Sequence, residues 1–213
     1  LEMTAEQDAN RLISAHSGVP YAEIDHGELT KGNIPKITQA QQRLAESKLI
    51  FQTRPGLTIP ELIMDVRKMA KEGLELVVID YLGLLRYPQF SSSESSYKEV
   101  TEISKALKEL ALSAEIPIVA LCQLNRGSAK ANRAPSMSDL RDSGSIEQDA
   151  DVIILLHRSP KQKEEWSQND IEPAMAILEK NRNGRTGTVL MKFHKPTMTF
   201  SPWDRDDFPD EFD

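Results

Sequence analysis

Apolar residues recur along this chain with two different periods, and the switches between them outline its architecture. Ala5, Ala9, Leu12 and Ile13 lie at the spacing of one helix face, and Thr4 with Gln7 supplies a capping box. Gly18 and Pro20 stop that helix, and Tyr21 to Gly32 is polar and turn-rich, with room for one short helix. Ile34 to Lys48 predicts a second helix, and Leu49 to Gln52 a short strand. Thr58 and Glu61 open a third helix, with Ile59, Leu62, Ile63, Val66, Met69 and Ala70 as its buried stripe. After Gly73 the pattern changes. Leu74 to Ile79 is a short, largely apolar run that ends abruptly in Asp80. Such a run predicts a strand buried on both faces, as in a parallel sheet covered by helices.

Pro88 to Ser96 is serine-rich and without apolar periodicity, the mark of an exposed loop. Val100, Ile103, Leu107, Leu110 and Ala111 predict a long helix over Tyr97 to Glu115. Ile116 to Cys122 is a second buried-strand pattern, ending in Gln123, and Val152 to Leu156 is a third. Between them, Gly127 to Ser138 reads as a basic, turn-rich loop. Lys161 to Asp170 reads as a solvated excursion. Ala174 to Glu179 and Thr188 to Phe193 predict strands joined by a hairpin-like turn, and Thr197 to Phe200 a last short strand. The acidic stretch Asp204 to Asp213 reads as a loose tail after one domain spanning 1–203. Helices and strands alternate for two thirds of the chain, and strands then run on alone. The predicted class is α/β, a mostly parallel sheet flanked by helices, with antiparallel edge strands near the C-terminus.

Composition changes this picture little. The chain has 213 residues, 39% hydrophobic and 28% charged, enough for one sizeable domain. No apolar run approaches the roughly 18 residues of a membrane span. A single cysteine, Cys122, rules out disulfides within the chain and points to a reducing compartment. Its apolar surroundings mark it as core. A net charge of −7 argues against a surface coated in phosphate-binding cations, yet leaves room for a small local loop that grips nucleic acid. The chain opens at Leu1 directly into a helical pattern, which suggests a piece of something longer.

Asp80 is the first candidate for chemistry. An unpaired carboxylate inside a core is costly, so Asp80 belongs at the strand's C-terminal end, where α/β proteins bind ligands. There it suits the magnesium shell of a nucleotide, although a cap on the next turn explains it equally simply.

Five stretches, taken in order, resemble the C-terminal motor domain of the DnaB-type hexameric replicative helicases, a RecA-like ATPase fold. They are Leu1-Glu2-Met3, Val78 to Leu82, Ala120 to Arg126, Asp139 to Asp151, and Lys180-Asn181-Arg182-Asn183-Gly184. The resemblance covers about residues 1 to 203 and implies ATP and Mg2+ as cofactors. It makes Glu2 the catalytic carboxylate that orients and deprotonates the attacking water. Leu1-Glu2 also fits a cloning remnant ahead of Met3. Asp80 becomes the Walker-B ligand of magnesium, and Gln123 the γ-phosphate sensor, against the plainer reading of a satisfied edge amide. Arg141, Asp142 and Gly144 fall in the DNA-binding loop that faces the central channel, unless Arg141 merely pairs with Asp139 or Asp142. Lys130 and Arg133 line the same channel or sit on a solvated loop. Lys180 and Arg182 resemble the pair presented in trans to a neighbour's γ-phosphate, the arginine finger. Asn181 stands where a family member carries glutamine, and Arg185 near a place often held by proline.

The resemblance further implies a homo-hexamer on single-stranded DNA, a helicase loader and a primase as partners, no membrane, and the cytoplasm of a bacterial or phage-infected cell. One expected feature is missing: no Gly-x-x-x-x-Gly-Lys-Ser/Thr loop occurs in the sequence. In the family that loop lies just upstream of the Leu-Glu-Met strand, before residue 1. Two alternatives stay open, a RecA-like recombination or repair ATPase and a catalytically inactive DNA- or helicase-binding scaffold. Residues upstream in the gene discriminate the motor from the scaffold.

Overall fold

The computed structural model of the chain describes residues 3–90, 96–124, 133–140, 144–158 and 170–203. The helical front follows the capping signals. Helix α1 (Ala5–Ser17) begins at Thr4, whose hydroxyl accepts from the Gln7 N–H while the Gln7 side chain accepts from the Thr4 N–H. It ends at Gly18, whose φ of 71° is the left-handed conformation that closes helices without a Cβ penalty. Helices α2 (Tyr21–His26) and α3 (Ile34–Ala45) follow, α3 stopping short of the expected Lys48. Ile13, Val19, Ile37 and Ala40 make a small core here, and the buried Ser14 hydroxyl donates to Val19 O at 2.7 Å. The Tyr21 N–H donates to Pro196 O at 2.7 Å, which ties this corner to the turn before the last strand.

The main core lies between α4 (Ile59–Ala70), α5 (Ser96–Ala114) and β1 (Val77–Ile79). Thr58 and Glu61 form the capping box that starts α4. Ile59, Leu62 and Val66 from α4 meet Ile103, Leu107 and Leu110 from α5, with Ile79, Leu82 and Leu85 beneath. Each such side chain contributes about 1.5–3 kcal/mol on full burial. Two backbone hydrogen bonds, Arg86 N to Leu57 O and Ile59 N to Arg86 O, clip the segment after β1 onto the start of α4. The chain leaving Asp80 is therefore held at both ends.

Strand β2 (Ile118–Ala120) pairs with β1 in parallel, Val77 opposite Ile118 and Ile79 opposite Ala120. A second sheet is an antiparallel meander of β3 (Val152–His157), β4 (Ile171–Asn181), β5 (Gly187–His194) and β6 (Thr199–Pro202). Helix α6 (Gly144–Asp149) leads into β3. Leu140, Ile153 and Leu155 form a third core with Leu124, Met137 and Ile177 packed against it.

The α/β class and the antiparallel C-terminal strands are as the pattern predicts. Three expectations differ. First, among the described residues these strands are covered on one face only. Ile79, Ile153 and Leu155 are buried, whereas Val78 is 60% exposed, Val119 50% and Ile154 57%. Apolar content showed that these strands want cover, and could not show whether the described residues supply it. Second, the parallel and antiparallel strands form separate ladders instead of one sheet. Third, Leu49 to Gln52 has no regular secondary structure and joins no ladder among the described residues, with Leu49, Ile50 and Phe51 exposed. A strand needs a neighbouring edge as well as a suitable sequence. Among the described residues no helix is long and apolar enough to cross a membrane. Most of the serine-rich stretch (91–95), half of the basic stretch (127–132), nearly all of the hydrophilic excursion (161–169) and the tail (204–213) lie outside the described residues.

Candidate functional site

Because β1 and β2 are parallel neighbours, their C-terminal ends open on one rim. Asp80 follows Ile79 there and is exposed. The Leu121 N–H donates to Ile79 O and the Leu82 N–H to Leu121 O, both at 2.9 Å, so the two chains stay laced together as they pass Asp80. Gln123, also exposed, lies two residues beyond Leu121 on the same rim. The next residue, Leu124, forms an antiparallel bridge with the buried Leu140. The backbone thus runs from the Asp80 rim through Gln123 to the residue just before Arg141.

The donor set is sparse. Among the described residues no group of three His, Cys, Asp or Glu side chains is arranged to hold a metal ion. A single rim carboxylate is a poor cage for a tightly held metal. It does fit Mg2+, which keeps several waters and binds through one or two carboxylates plus substrate phosphates. Asp80 is the residue that would hold it, with Gln123 on the same rim as a neutral donor and acceptor.

Arg133 has a specific partner. Its guanidinium grips Asp139 with two hydrogen bonds, Nη1 to Oδ2 at 2.7 Å and Nη2 to Oδ1 at 2.8 Å. The Ser136 N–H and hydroxyl donate to the same carboxylate, closing a capping box on the turn Met137–Asp139. Asp139, offered by the sequence as a partner for Arg141, accepts from Arg133, and Arg141 itself lies outside the described residues. The Arg133 hydrogen bonds, with help from the Ser136 N–H, hold the Asp139 carboxyl down at about 2. A depressed carboxyl stabilises the fold above its unfolded value, 3.8, and that contribution is lost as pH falls through about 2. Asp139→Asn should therefore melt below wild type at about pH 5, with the gap narrowing towards pH 2. A gap of constant size in thermal melts across that range would contradict the assignment.

Lys180 and Arg182 stand where β4 ends and the turn to β5 begins. The Asn181 side-chain amide donates to Arg185 O at 3.2 Å and locks that turn. A Cβ on Gly184 would come within 2.5 Å of that amide, so glycine leaves it room. Arg182 is half exposed, as an outward-facing pair requires, yet it is also held by its own chain. Its Nη1 meets Asp151 Oδ1 at 2.8 Å and its Nη2 donates to Gln148 O at 3.4 Å. Lys180 Nζ donates to Glu147 O at 2.5 Å and Gln148 O at 3.3 Å, capping the C-terminal carbonyls of α6. Asp151 Oδ2 meets Lys108 Nζ of α5 at 2.5 Å. Lys108 foremost, then Arg182 and Lys180, lower the Asp151 carboxyl below the usual range.

Gly144 is the exposed first residue of α6. Glu2, Lys130, Arg141 and Asp142 lie outside the described residues. The structure therefore brings Asp80 and Gln123 together on one rim and Lys180 with Arg182 on one turn. Sequence reasoning missed Lys108 and Asp151. Their only signal was an acid placed just ahead of a buried strand.

The family model for the DnaB-like helicase C-terminal domain matches residues 1–202. The chain belongs to that family. All five motif stretches fall inside the match. The replicative DNA helicase DnaC of Bacillus subtilis is 37% identical over 203 residues, covering 94% of this chain and 44% of the relative. The replicative DNA helicase DnaB of Leifsonia xyli is 39% identical over 196 residues, covering 91% and 42%. The DnaB-like chain thus spans less than half the length of these relatives. Among solved structures, a DnaB-like replicative helicase described with its interactions with primase superposes with a TM-score of 0.84 at 27% identity. It is matched over 95% of this chain and 49% of its own. A second solved structure, an isolated ATPase domain, gives the same TM-score and identity, covering 95% of this chain and 72% of that one. The fold of this DnaB-like domain is RecA-like, as the five stretches imply.

Proposed function

We propose that this domain is part of the motor of a replicative DNA helicase that couples ATP hydrolysis to travel of a hexameric ring along single-stranded DNA. The observation that carries the proposal is the shared rim. Two parallel strands end on one rim, where Asp80, one residue past β1, and Gln123, three residues past β2, are both open to solvent.

Asp80 would hold Mg2+, which when bound supplies positive charge to the phosphates as they separate. Glu2 orients the attacking water and accepts its proton. Gln123 donates to a phosphate oxygen, and the Leu124–Leu140 bridge carries any shift of that rim towards Arg141. Arg141, Asp142 and Gly144 contact the DNA backbone, a sequence-blind mode suited to a motor that passes every sequence. Lys130 belongs to the same channel. Arg133 takes part by holding the segment through Asp139. Lys180 and Arg182 reach the γ-phosphate bound to the adjoining subunit, so hydrolysis needs assembly.

This chain carries no Gly-x-x-x-x-Gly-Lys-Ser/Thr loop, so the motor activity is proposed for a protein that supplies one. A loader and a primase are the expected partners, in a bacterial or phage-infected cytoplasm. The full-length gene product should hydrolyse ATP faster with single-stranded DNA and should unwind a forked duplex only when ATP is hydrolysed. Nucleotide binding without unwinding would favour a recombination ATPase, and no nucleotide binding would favour a scaffold.

A further inference from the structure

We infer that Asp151 is a positioning residue for Arg182, fixed in turn by Lys108, so that α5, α6 and the β4–β5 turn hold the Lys180–Arg182 pair ready for a neighbouring subunit. The inference rests on the trans role of Arg182 proposed above.

Four features of the geometry support it. Asp151 uses its two oxygens separately, Oδ1 for Arg182 and Oδ2 for Lys108. A carboxylate held on one side by a helix-borne lysine is restricted in its rotation, so it offers Arg182 a better-defined partner. The backbone is tied at the same place, with the Arg182 N–H donating to Asp151 O at 2.8 Å. Side chain and main chain of one residue thus hold side chain and main chain of the other.

Neither cation is used up by these contacts. A guanidinium has five donors and an ammonium three. In the contacts described, Arg182 spends one donor on Asp151 and one on Gln148 O, and Lys180 spends two on Glu147 O and Gln148 O. In these contacts each side chain keeps at least one N–H group unspent, so engaging an external phosphate would not require the internal bonds to break. This distinguishes positioning from sequestration, in which the internal bonds would have to break first. A long, half-exposed side chain loses much of its rotamer freedom when ordered, and Asp151 imposes part of that order before the partner arrives. Helix α6 adds direction. Its N-terminal residue, Gly144, belongs to the candidate DNA-binding stretch, and its last carbonyls hold Lys180 and Arg182. A helix of one and a half turns therefore spans from that stretch to the pair.

The test is a double-mutant cycle on the full-length gene product, read as DNA-stimulated ATP turnover. Asp151→Asn keeps the shape and removes the charge. It should lower kcat about threefold to fivefold with KM for ATP within about twofold, because Arg182 is placed less often but nucleotide is still bound. Asp151→Glu should recover part of the loss. In an Arg182→Ala background, Asp151→Asn should have no further effect on kcat. An equal fold-loss in both backgrounds would overturn the inference, since Asp151 would then act independently of Arg182. Unchanged kcat in Asp151→Asn, alongside a disabled Arg182→Ala, would overturn it too and leave the trans role of Arg182 standing. Wild-type turnover in Arg182→Ala would instead refute the trans role itself.

Discussion

Asp80→Asn in the full-length gene product is expected to lower ATP turnover about a thousandfold, because a metal ion's stabilisation of phosphoryl charge amounts to several kcal/mol and each 1.36 kcal/mol is tenfold in rate. The substitution is nearly isosteric and falls on an exposed rim position, so the fold should be unaffected. The bonds that lace this rim, Leu121 N to Ile79 O and Leu82 N to Leu121 O, are backbone bonds and do not involve the side chain. The loss should therefore appear in kcat and in the Mg2+ concentration needed for half-maximal rate, while single-stranded DNA binding and the melting temperature stay near wild type. Turnover within a few-fold of wild type would reduce Asp80 to a cap on the turn Leu82–Leu84.

Arg182→Ala should have a comparable effect by a different route. An arginine finger is worth about 10³–10⁵ in rate, since it meets charge that grows only in the transition state. Nucleotide affinity should change little, because the ground state gains less from the contact. Arg182→Lys should recover only part of the activity, as a point charge lacks the planar fork. The structure explains why truncation here is safe for folding. The Arg182–Asp151 pair is about half exposed on both sides, and pairs of that kind contribute about 0–1 kcal/mol. Asp151 also keeps Lys108, so no carboxylate is stranded. Reduced turnover with an unchanged melting temperature and nucleotide affinity is the expected combination. A matching fall in nucleotide affinity would point to a role in cis.

Much of this could be read from local signals. Thr4 with Gln7, and Thr58 with Glu61, announced the starts of α1 and α4, because both halves of a capping box lie within four residues of each other. The stripe Ile103, Leu107, Leu110 fixed the inward side of α5. Asp80 and Gln123 were legible as rim residues because each ends an apolar run, and parallel pairing then puts the two ends together. Other features were not local. Helix α6 is six residues long and carries one large apolar side chain, Ile146, too little for a periodic signal. The Lys108–Asp151–Arg182 chain joins three elements far apart in sequence, and charged residues carry no period that reveals such partners. Arg133 looked like one more cation on a basic loop, and only the fold shows Asp139 in its grip. The bare sides of Val78, Val119 and Ile154 were misread for a related reason. Sequence records that a side chain is apolar and leaves unsaid which part of a protein covers it.

The central claim is that a reaction centre is split between subunits, with Asp80 on one side and Arg182 on the other. Co-expression of two full-length variants, Asp80→Asn and Arg182→Ala, tests it most directly. Each alone should be nearly inactive. In a randomly mixed ring, about a quarter of the heterologous interfaces pair an intact Asp80 with an intact Arg182. DNA-stimulated ATP turnover should then rise to about a quarter of the wild-type rate per interface. Turnover no greater than the sum of the two inactive variants, in rings shown to contain both subunits, would contradict the account.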